Sequence, residues 1–122
     1  KNDSILFLGN LSNQDAKLEI SKARAVITAT KMYEGQPRLL CEASSFGVPS
    51  IYPSFGGMNE FFPSGYEFSF NQYDYRDLKD KIKKINNDEL LIKTGLAVKR
   101  HVSKILHPEV QLASFDSYLL DK

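Results

Sequence analysis

The sequence is poor in several residue types that mark particular classes of protein. It has one cysteine, Cys41, so an internal disulfide is excluded, and this usage suits a reducing compartment. Its two histidines form no sequence cluster with the single cysteine, which argues against a structural zinc site. No apolar run has the length of a membrane span, and the first residues do not resemble a secretory signal. A formal net charge of +1 gives no general attraction to nucleic acid.

The rest of the composition is that of an ordinary globular domain. The chain has 122 residues, of which 42% are hydrophobic and 25% are charged. This length predicts one domain with a sizeable core. Because the sequence starts at Lys1 without a methionine and soon enters an apolar run, we expect it to be a piece of a longer protein.

Short apolar runs alternate with helical patterns along the chain. Strands are predicted for Ile5–Leu8, buried on both faces, for Ala25–Ile27 and Val48–Tyr52, and for a short outer segment, Glu67–Phe70. Helices are predicted for residues 14–22, 38–46, 74–85, 89–106 and 110–120, with a short helix near 59–62. This rhythm predicts an α/β fold, in which a Rossmann-like parallel sheet has flanking helices.

The segment from Thr28 to Glu42 carries the predicted site. It leaves the second strand, passes through a turn with Gly35 and Pro37, and enters a helix. Proline is expected in the first helical turn, where its missing N–H costs nothing. The next N–H groups then point at the carboxyl edge of the sheet, where a phosphate binds well. Glu34 and Glu42 bracket this turn and can accept hydrogen bonds from hydroxyls, which suits a nucleotide joined to a sugar.

Three blocks of sequence resemble one enzyme family. Residues 34–42 read EGQPRLLCE and resemble the E-x7-E motif of group 1 (family 4) retaining glycosyltransferases with the GT-B fold. Ala43, residues 46–51 (FGVPSI) and residues 56–60 (GGMNE) continue the family pattern at its usual spacing. Tyr66-Glu67-Phe68 departs from the family's glycine turn and G-L-L-F type strand. The resemblance predicts a partial nucleotide-sugar-binding domain over residues 1–106, the later part of a GT-B C-terminal lobe, and a C-terminal helix over 107–122.

The resemblance implies roles for individual residues. Glu34 would be the catalytic residue beside the donor sugar, and Glu42 would hold the ribose hydroxyls. The remaining donor-binding residues would act mainly through the backbone of the turn: Gly35, Gln36, Pro37, Arg38 and Leu39. The guanidinium of Arg38 would either pair with a phosphate or lie in solvent. No cofactor and no metal are expected, because the D-x-D pair of the other major glycosyltransferase fold is missing.

The parent protein implied by the resemblance moves a sugar from a nucleotide diphosphate sugar to a glycan, lipid or protein acceptor. The acceptor would bind an N-terminal lobe that lies upstream. The family arginine and lysine that stabilise the leaving diphosphate belong to an earlier segment that these residues lack, so the fragment alone is expected to be inactive. A cytoplasmic place in polysaccharide biosynthesis follows, at the inner face of the membrane if the acceptor is a lipid. Lysine and arginine are enriched from Arg76 to Lys104, as either a solvated surface or a weak attraction to anionic lipid.

Alternative functions remain open from the sequence. A non-catalytic GT-B-like binding or assembly subunit would keep the same blocks, and so would a GT-B nucleotide-sugar epimerase. A GT-B phosphorylase is disfavoured, since no lysine here has the context expected for pyridoxal phosphate. A generic dinucleotide-binding domain is disfavoured, since no G-x-G-x-x-G follows a strand. Other features have plain structural interpretations. Cys41 is expected to be buried, Glu60 to lie on a helix surface, and His101 and His107 to be structural or surface residues.

Overall fold

A computed structural model describes residues 3–31 and 35–120 of the chain; for residues 110, 111, 113–115 and 118 it describes the backbone alone. In chain order the elements are α1 (Asn13–Lys22), β1 (Val26–Ile27), α2 (Arg38–Ser45), β2 (Ser50–Pro53), a 3-10 helix η1 (Met58–Phe61), β3 (Ser69–Phe70), α3 (Tyr75–Lys84), α4 (Asp88–Ile105) and α5 (Pro108–Leu120).

The strands form a parallel sheet in the order β1-β2-β3. Val26 lies opposite Ser50 in the first pairing, and Tyr52 lies opposite Ser69 in the second. Helices flank this sheet, so the predicted α/β, Rossmann-like arrangement is confirmed. Because the strands run in one direction, the loops that follow β1, β2 and β3 lie at the same edge.

Alternate residues of β2 divide the core into two layers. Tyr52 packs with residues of α2, η1 and α4, whereas Ile51 packs with residues of β3, α3 and the first turn of α4. The first cluster contains Leu40, Tyr52, Met58, Phe62 and Val98, and the second contains Ile51, Phe68, Phe70 and Leu91. All four residues of β2 are buried, as expected of the middle strand of a parallel sheet.

The helices begin where capping residues predict. The side chain of Ser12 accepts a hydrogen bond from the N–H of Asp15 at α1. Asp74 does the same for α3 through the N–H of Asp77, and Asn87 for α4 through the N–H of Leu90. Each bond satisfies an N–H group that has no partner inside its helix.

The strand predicted at Ile5–Leu8 is wrong. These residues have no regular secondary structure, and their side chains are between 48% and 91% exposed. A strand buried on both faces needs hydrogen-bonded neighbours and two covering layers. Within the part of the chain that the structure describes, the sheet ends at β1 and offers this run no such neighbour.

The side chain of Tyr66 replaces backbone hydrogen bonds that a neighbouring strand would make to β2. Its hydroxyl accepts a hydrogen bond from the N–H of Ser50 (2.9 Å) and donates one to the carbonyl oxygen of the same residue. The β2–β3 pairing starts only at Tyr52 and Ser69, so this side chain satisfies the backbone of β2 before β3 arrives. Burial raises the pKa of the Tyr66 phenol, which therefore stays protonated as a donor. The residue that departs from the family pattern thus has a structural role.

Gly95 allows α2 and α4 to pack closely. A Cβ atom built on Gly95 would lie 2.1 Å from the carbonyl oxygen of Gly47, which follows α2. Gly47 itself has a positive φ of 74°, so the chain leaves α2 in a conformation that favours glycine. Helix propensity treats Gly95 only as a weak point, but the packing requires it.

Candidate functional site

The candidate site lies where the loop after β1 meets the start of α2. Pro37 is buried and forms the N-cap of α2, with φ −79° and ψ 95°. The sequence predicted Pro37 inside the first helical turn, but the helix begins at the next residue, Arg38. The carbonyl oxygen of Pro37 accepts the first helical hydrogen bond, from the N–H of Cys41 at 3.0 Å. The N–H groups of residues 38–40 therefore have no partner in the preceding turn of helix.

The start of α2 carries positive charge from two sources. Its uncapped N–H groups form the positive end of the helix dipole, and Pro37 offers no side-chain acceptor to them. Its first turn contains no acidic residue and instead contains Arg38. A cation is disfavoured at this end of a helix unless an anion lies nearby. The local charges therefore favour a bound anion.

Arg38 and Glu42 form an ion pair along α2. The Nε atom of Arg38 lies 3.1 Å from Oε1 of Glu42, one helical turn later. The arginine side chain is 77% exposed, whereas that of Glu42 is 22% exposed. The sequence left open whether Arg38 pairs with a phosphate or lies in solvent. In the structure its guanidinium contacts Glu42. Such a solvated pair contributes about 0.3–0.5 kcal/mol, so a ligand can replace it easily.

A cavity of about 370 Å³ opens at this point. It is lined by Thr28 at the end of β1 and by Gln36, Arg38, Leu39 and Leu40. This volume is in the range of small-molecule sites. Gly35 and Gln36 are exposed in the turn beside it. Of the predicted donor-site residues, Gln36, Arg38 and Leu39 line this cavity. Glu42 does not line it but pairs with Arg38, and Glu34 lies outside the described residues.

The family model for group 1 glycosyl transferases matches residues 1–101. The chain belongs to this family. Comparisons with curated proteins and with solved structures gave no match. The matched range includes the whole site loop, α2 and the glycine loop after β2, and ends within α4.

The second loop of this group 1 glycosyl transferase is held by Asn59, which the sequence analysis did not single out. Its side-chain oxygen accepts a hydrogen bond from the Tyr52 hydroxyl, and its amide nitrogen donates one to Ser54, both at 2.9 Å. Gly56 turns the loop with a positive φ of 65°. The side chain of Asn59 therefore fixes the backbone that approaches the carboxyl edge.

Glu60 and His101 have structural surroundings in the glycosyl transferase fold. Glu60 is exposed on η1, and its carbonyl oxygen lies 3.1 Å from Nε2 of His101 on α4. This contact joins η1 to α4 near their shared core. His107 accepts a hydrogen bond from the N–H of Glu109 between α4 and α5.

Neither a metal-binding cluster nor a membrane-spanning helix occurs in the part of the glycosyl transferase that the structure describes. Within residues 3–31 and 35–120, no group of three or more histidine, cysteine, aspartate or glutamate side chains is placed to hold a metal ion. None of the helices in the same ranges is both long enough and apolar enough to cross a bilayer.

Cys41 of the glycosyl transferase should be unreactive while the chain is folded. It is buried in α2, as predicted. Its pKa is raised from 9.0 to about 11, mainly by burial and to a smaller extent by the negative charge of Glu42. At pH 8 we expect alkylation by iodoacetamide to be about a hundred-fold slower in the native chain than in urea, since only the thiolate reacts.

The same pKa shift sets a pH dependence of stability. The unfolded chain releases the thiol proton near pH 9.0, whereas the folded chain keeps it until about pH 11. The free energy of unfolding of the parent should therefore fall as the pH rises from 9.0 to about 11. Cys41→Ala should show a smaller fall over the same range. An alkylation rate equal in native and denatured chains would contradict the buried thiol.

Proposed function

We propose that this chain is the donor-binding lobe of a retaining GT-B glycosyltransferase of family 4. It binds a nucleotide diphosphate sugar, whose sugar the parent protein transfers to an acceptor. The observation that carries this proposal is the start of α2, where uncapped N–H groups and the Arg38 guanidinium border one cavity and Arg38 pairs with the Glu42 carboxylate. Membership of the family supports the reaction class.

The charges at this cavity match the parts of a nucleotide sugar. The diphosphate occupies the start of α2, where N–H groups and Arg38 balance its negative charge. Glu42 leaves its weak pair with Arg38 and accepts hydrogen bonds from the ribose hydroxyls. This exchange costs little, because each charged group gains a partner as it loses one.

The same charges assist the chemical step. When the bond between the sugar and the diphosphate breaks, negative charge grows on the leaving phosphate oxygen. Fixed N–H dipoles stabilise that charge without reorganising, and Arg38 adds a full positive charge. Glu34, by its place in the E-x7-E motif, is proposed beside the donor sugar as the catalytic residue. We place this reaction in the cytoplasm, at the inner face of the membrane when the acceptor is a lipid.

Replacing Glu42 by glutamine should weaken nucleotide binding by about ten- to a hundred-fold, because a charge-assisted hydrogen bond is lost. Amide NMR titration of the chain with UDP, GDP, ADP and their glucose conjugates measures this effect. Shifts should concentrate at residues 35–42 and should be largest for one base.

The matched control is Glu60→Gln, since Glu60 is an exposed glutamate outside the cavity. It should bind like the parent. If no nucleotide shifts the amides of residues 35–42, or if Glu60→Gln loses as much affinity as Glu42→Gln, the proposed donor site is wrong.

A further inference from the structure

The outer side of α4 combines exposed apolar side chains with basic ones. Ile92 and Leu96, about one helical turn apart, are 65% and 52% exposed, although the opposite side of α4 is buried in the core. Exposed basic residues follow on the same side of the helix, and a groove of about 510 Å³ runs along its second half. We call this surface the α4 face, formed by Ile92, Lys93, Leu96, Lys99, Arg100 and Lys104.

The charge of the α4 face has one sign. Between residues 90 and 105 the sequence contains no aspartate or glutamate, but it contains four basic residues: Lys93, Lys99, Arg100 and Lys104. Within residues 3–31 and 35–120, none of these four forms an ion pair, whereas Lys81 and Lys84 of α3 each pair with a carboxylate. Four unpaired cations on one helix repel one another, so the α4 face favours a partner with several negative charges.

An anionic lipid surface matches both properties of the α4 face. Phosphate head groups supply many negative charges, and the boundary beneath them accepts apolar side chains. Ile92 and Leu96 can enter that boundary, while the long stems of the lysines and of Arg100 keep their charges among the phosphates. Nucleic acid would match the charge alone and would leave both apolar side chains in water.

We propose that the α4 face is a docking surface for a membrane that contains anionic phospholipid. The helix lies along the head groups and holds the lobe at the surface of the bilayer. In the described part of the chain, the groove on α4 shares no lining residue with the donor cavity. The inference therefore goes beyond the donor site, and only its consequence for a lipid acceptor rests on the proposed function.

Sedimentation of the 122-residue chain with vesicles tests the charge of the α4 face. Vesicles of phosphatidylcholine with about 30% phosphatidylglycerol should bind the chain at least ten-fold more tightly than vesicles of phosphatidylcholine alone. Replacing both Lys99 and Arg100 by glutamine should weaken binding to the anionic vesicles by about ten- to thirty-fold, because each basic residue near such a surface contributes about five-fold. Added salt should weaken binding of the parent in the same direction.

The matched control for charge lies on α1. Replacing both Lys17 and Lys22 by glutamine removes the same net charge from a helix in which Asp15 and Glu19 balance it. Binding of this variant should stay within about two-fold of the parent, since the α4 face is unchanged. Thermal melting of each variant shows that it is folded.

A second pair of variants tests the apolar part of the α4 face. Leu96→Gln should weaken binding to the anionic vesicles by about three-fold or more, because an apolar side chain no longer enters the boundary beneath the head groups. Leu18→Gln, on α1, is the matched control, since Leu18 is 51% exposed and Leu96 is 52% exposed. It should bind like the parent.

Three results would overturn the membrane-docking surface. The first is equal binding to vesicles with and without phosphatidylglycerol. The second is an equal loss in the α1 and α4 charge variants, or no loss in either, as expected if the exposed run Ile5–Leu8 held the vesicles. The third is full binding by Leu96→Gln, which would mean that the basic side chains contact phosphates without a membrane boundary.

Nucleotide titrations keep this test distinct from that of the donor site. The amides of residues 35–42 should respond to nucleotide equally in the parent and in the Lys99 and Arg100 double variant, because the two surfaces share no lining residue. If those amides stay silent while the vesicles bind through α4, the donor proposal fails and the membrane surface stands. If the amides respond but vesicle binding does not depend on α4, the membrane surface fails and the donor lobe stands.

Discussion

Replacing Gly95 by alanine should lower the free energy of unfolding by about 2–4 kcal/mol, because overpacking against a rigid neighbour is destabilising. The added Cβ would lie 2.1 Å from the carbonyl oxygen of Gly47, so two backbones must separate. In an exposed helix the same change stabilises by about 1 kcal/mol, so the expected sign is reversed. Urea denaturation followed by circular dichroism measures the shift of the midpoint.

The control for this change is Gly35→Ala. Gly35 is exposed, and a Cβ atom there would have no neighbour within 4 Å. Its free energy of unfolding should stay within about 0.5 kcal/mol of that of the parent, as for most surface substitutions. Equal stability of Gly95→Ala and the parent would show that α2 and α4 do not approach as closely as described.

Replacing Tyr66 by phenylalanine should cost about 2–4 kcal/mol, since it leaves both the N–H and the carbonyl oxygen of Ser50 buried without partners. The ring and its contacts with Tyr52 and Phe62 are kept, so the loss isolates the hydroxyl. Urea denaturation gives the change in stability. Hydrogen exchange at the Ser50 amide gives its location, and exchange there should become faster.

Tyr75→Phe is the matched control, because it removes a hydroxyl from an exposed tyrosine. It should leave stability unchanged to within about 0.5 kcal/mol. If Tyr66→Phe is equally harmless, water satisfies the backbone of Ser50, and the tyrosine is a packing residue alone.

Local signals predicted the helices well. Ser12, Asp74 and Asn87 cap the helices that periodicity placed after them, because capping depends on residues within one turn. The site loop was predictable for a similar reason, since Pro37, Arg38 and Glu42 are neighbours in sequence. Even the Arg38–Glu42 pair has the spacing of adjacent side chains on a helix. The role of Glu34 stays a prediction.

Contacts between distant residues were not predictable in this way. The apolar run Ile5–Leu8 has the composition of a buried strand, but strand formation depends on neighbours that a run does not encode. Gly95 is explained by Gly47, and Tyr66 by Ser50, both far away along the chain. Tyr73, in the turn after β3, has a positive φ of 67° that no sequence signal predicted, because turn chemistry favours glycine or asparagine there.

The exposed run Ile5–Leu8 governs colloidal behaviour more than it governs folding. Its four adjacent exposed apolar side chains, without charge or proline, form a surface that favours association between copies of the chain. A charge placed within this segment, which lies outside the sheet, should therefore raise solubility without touching the core.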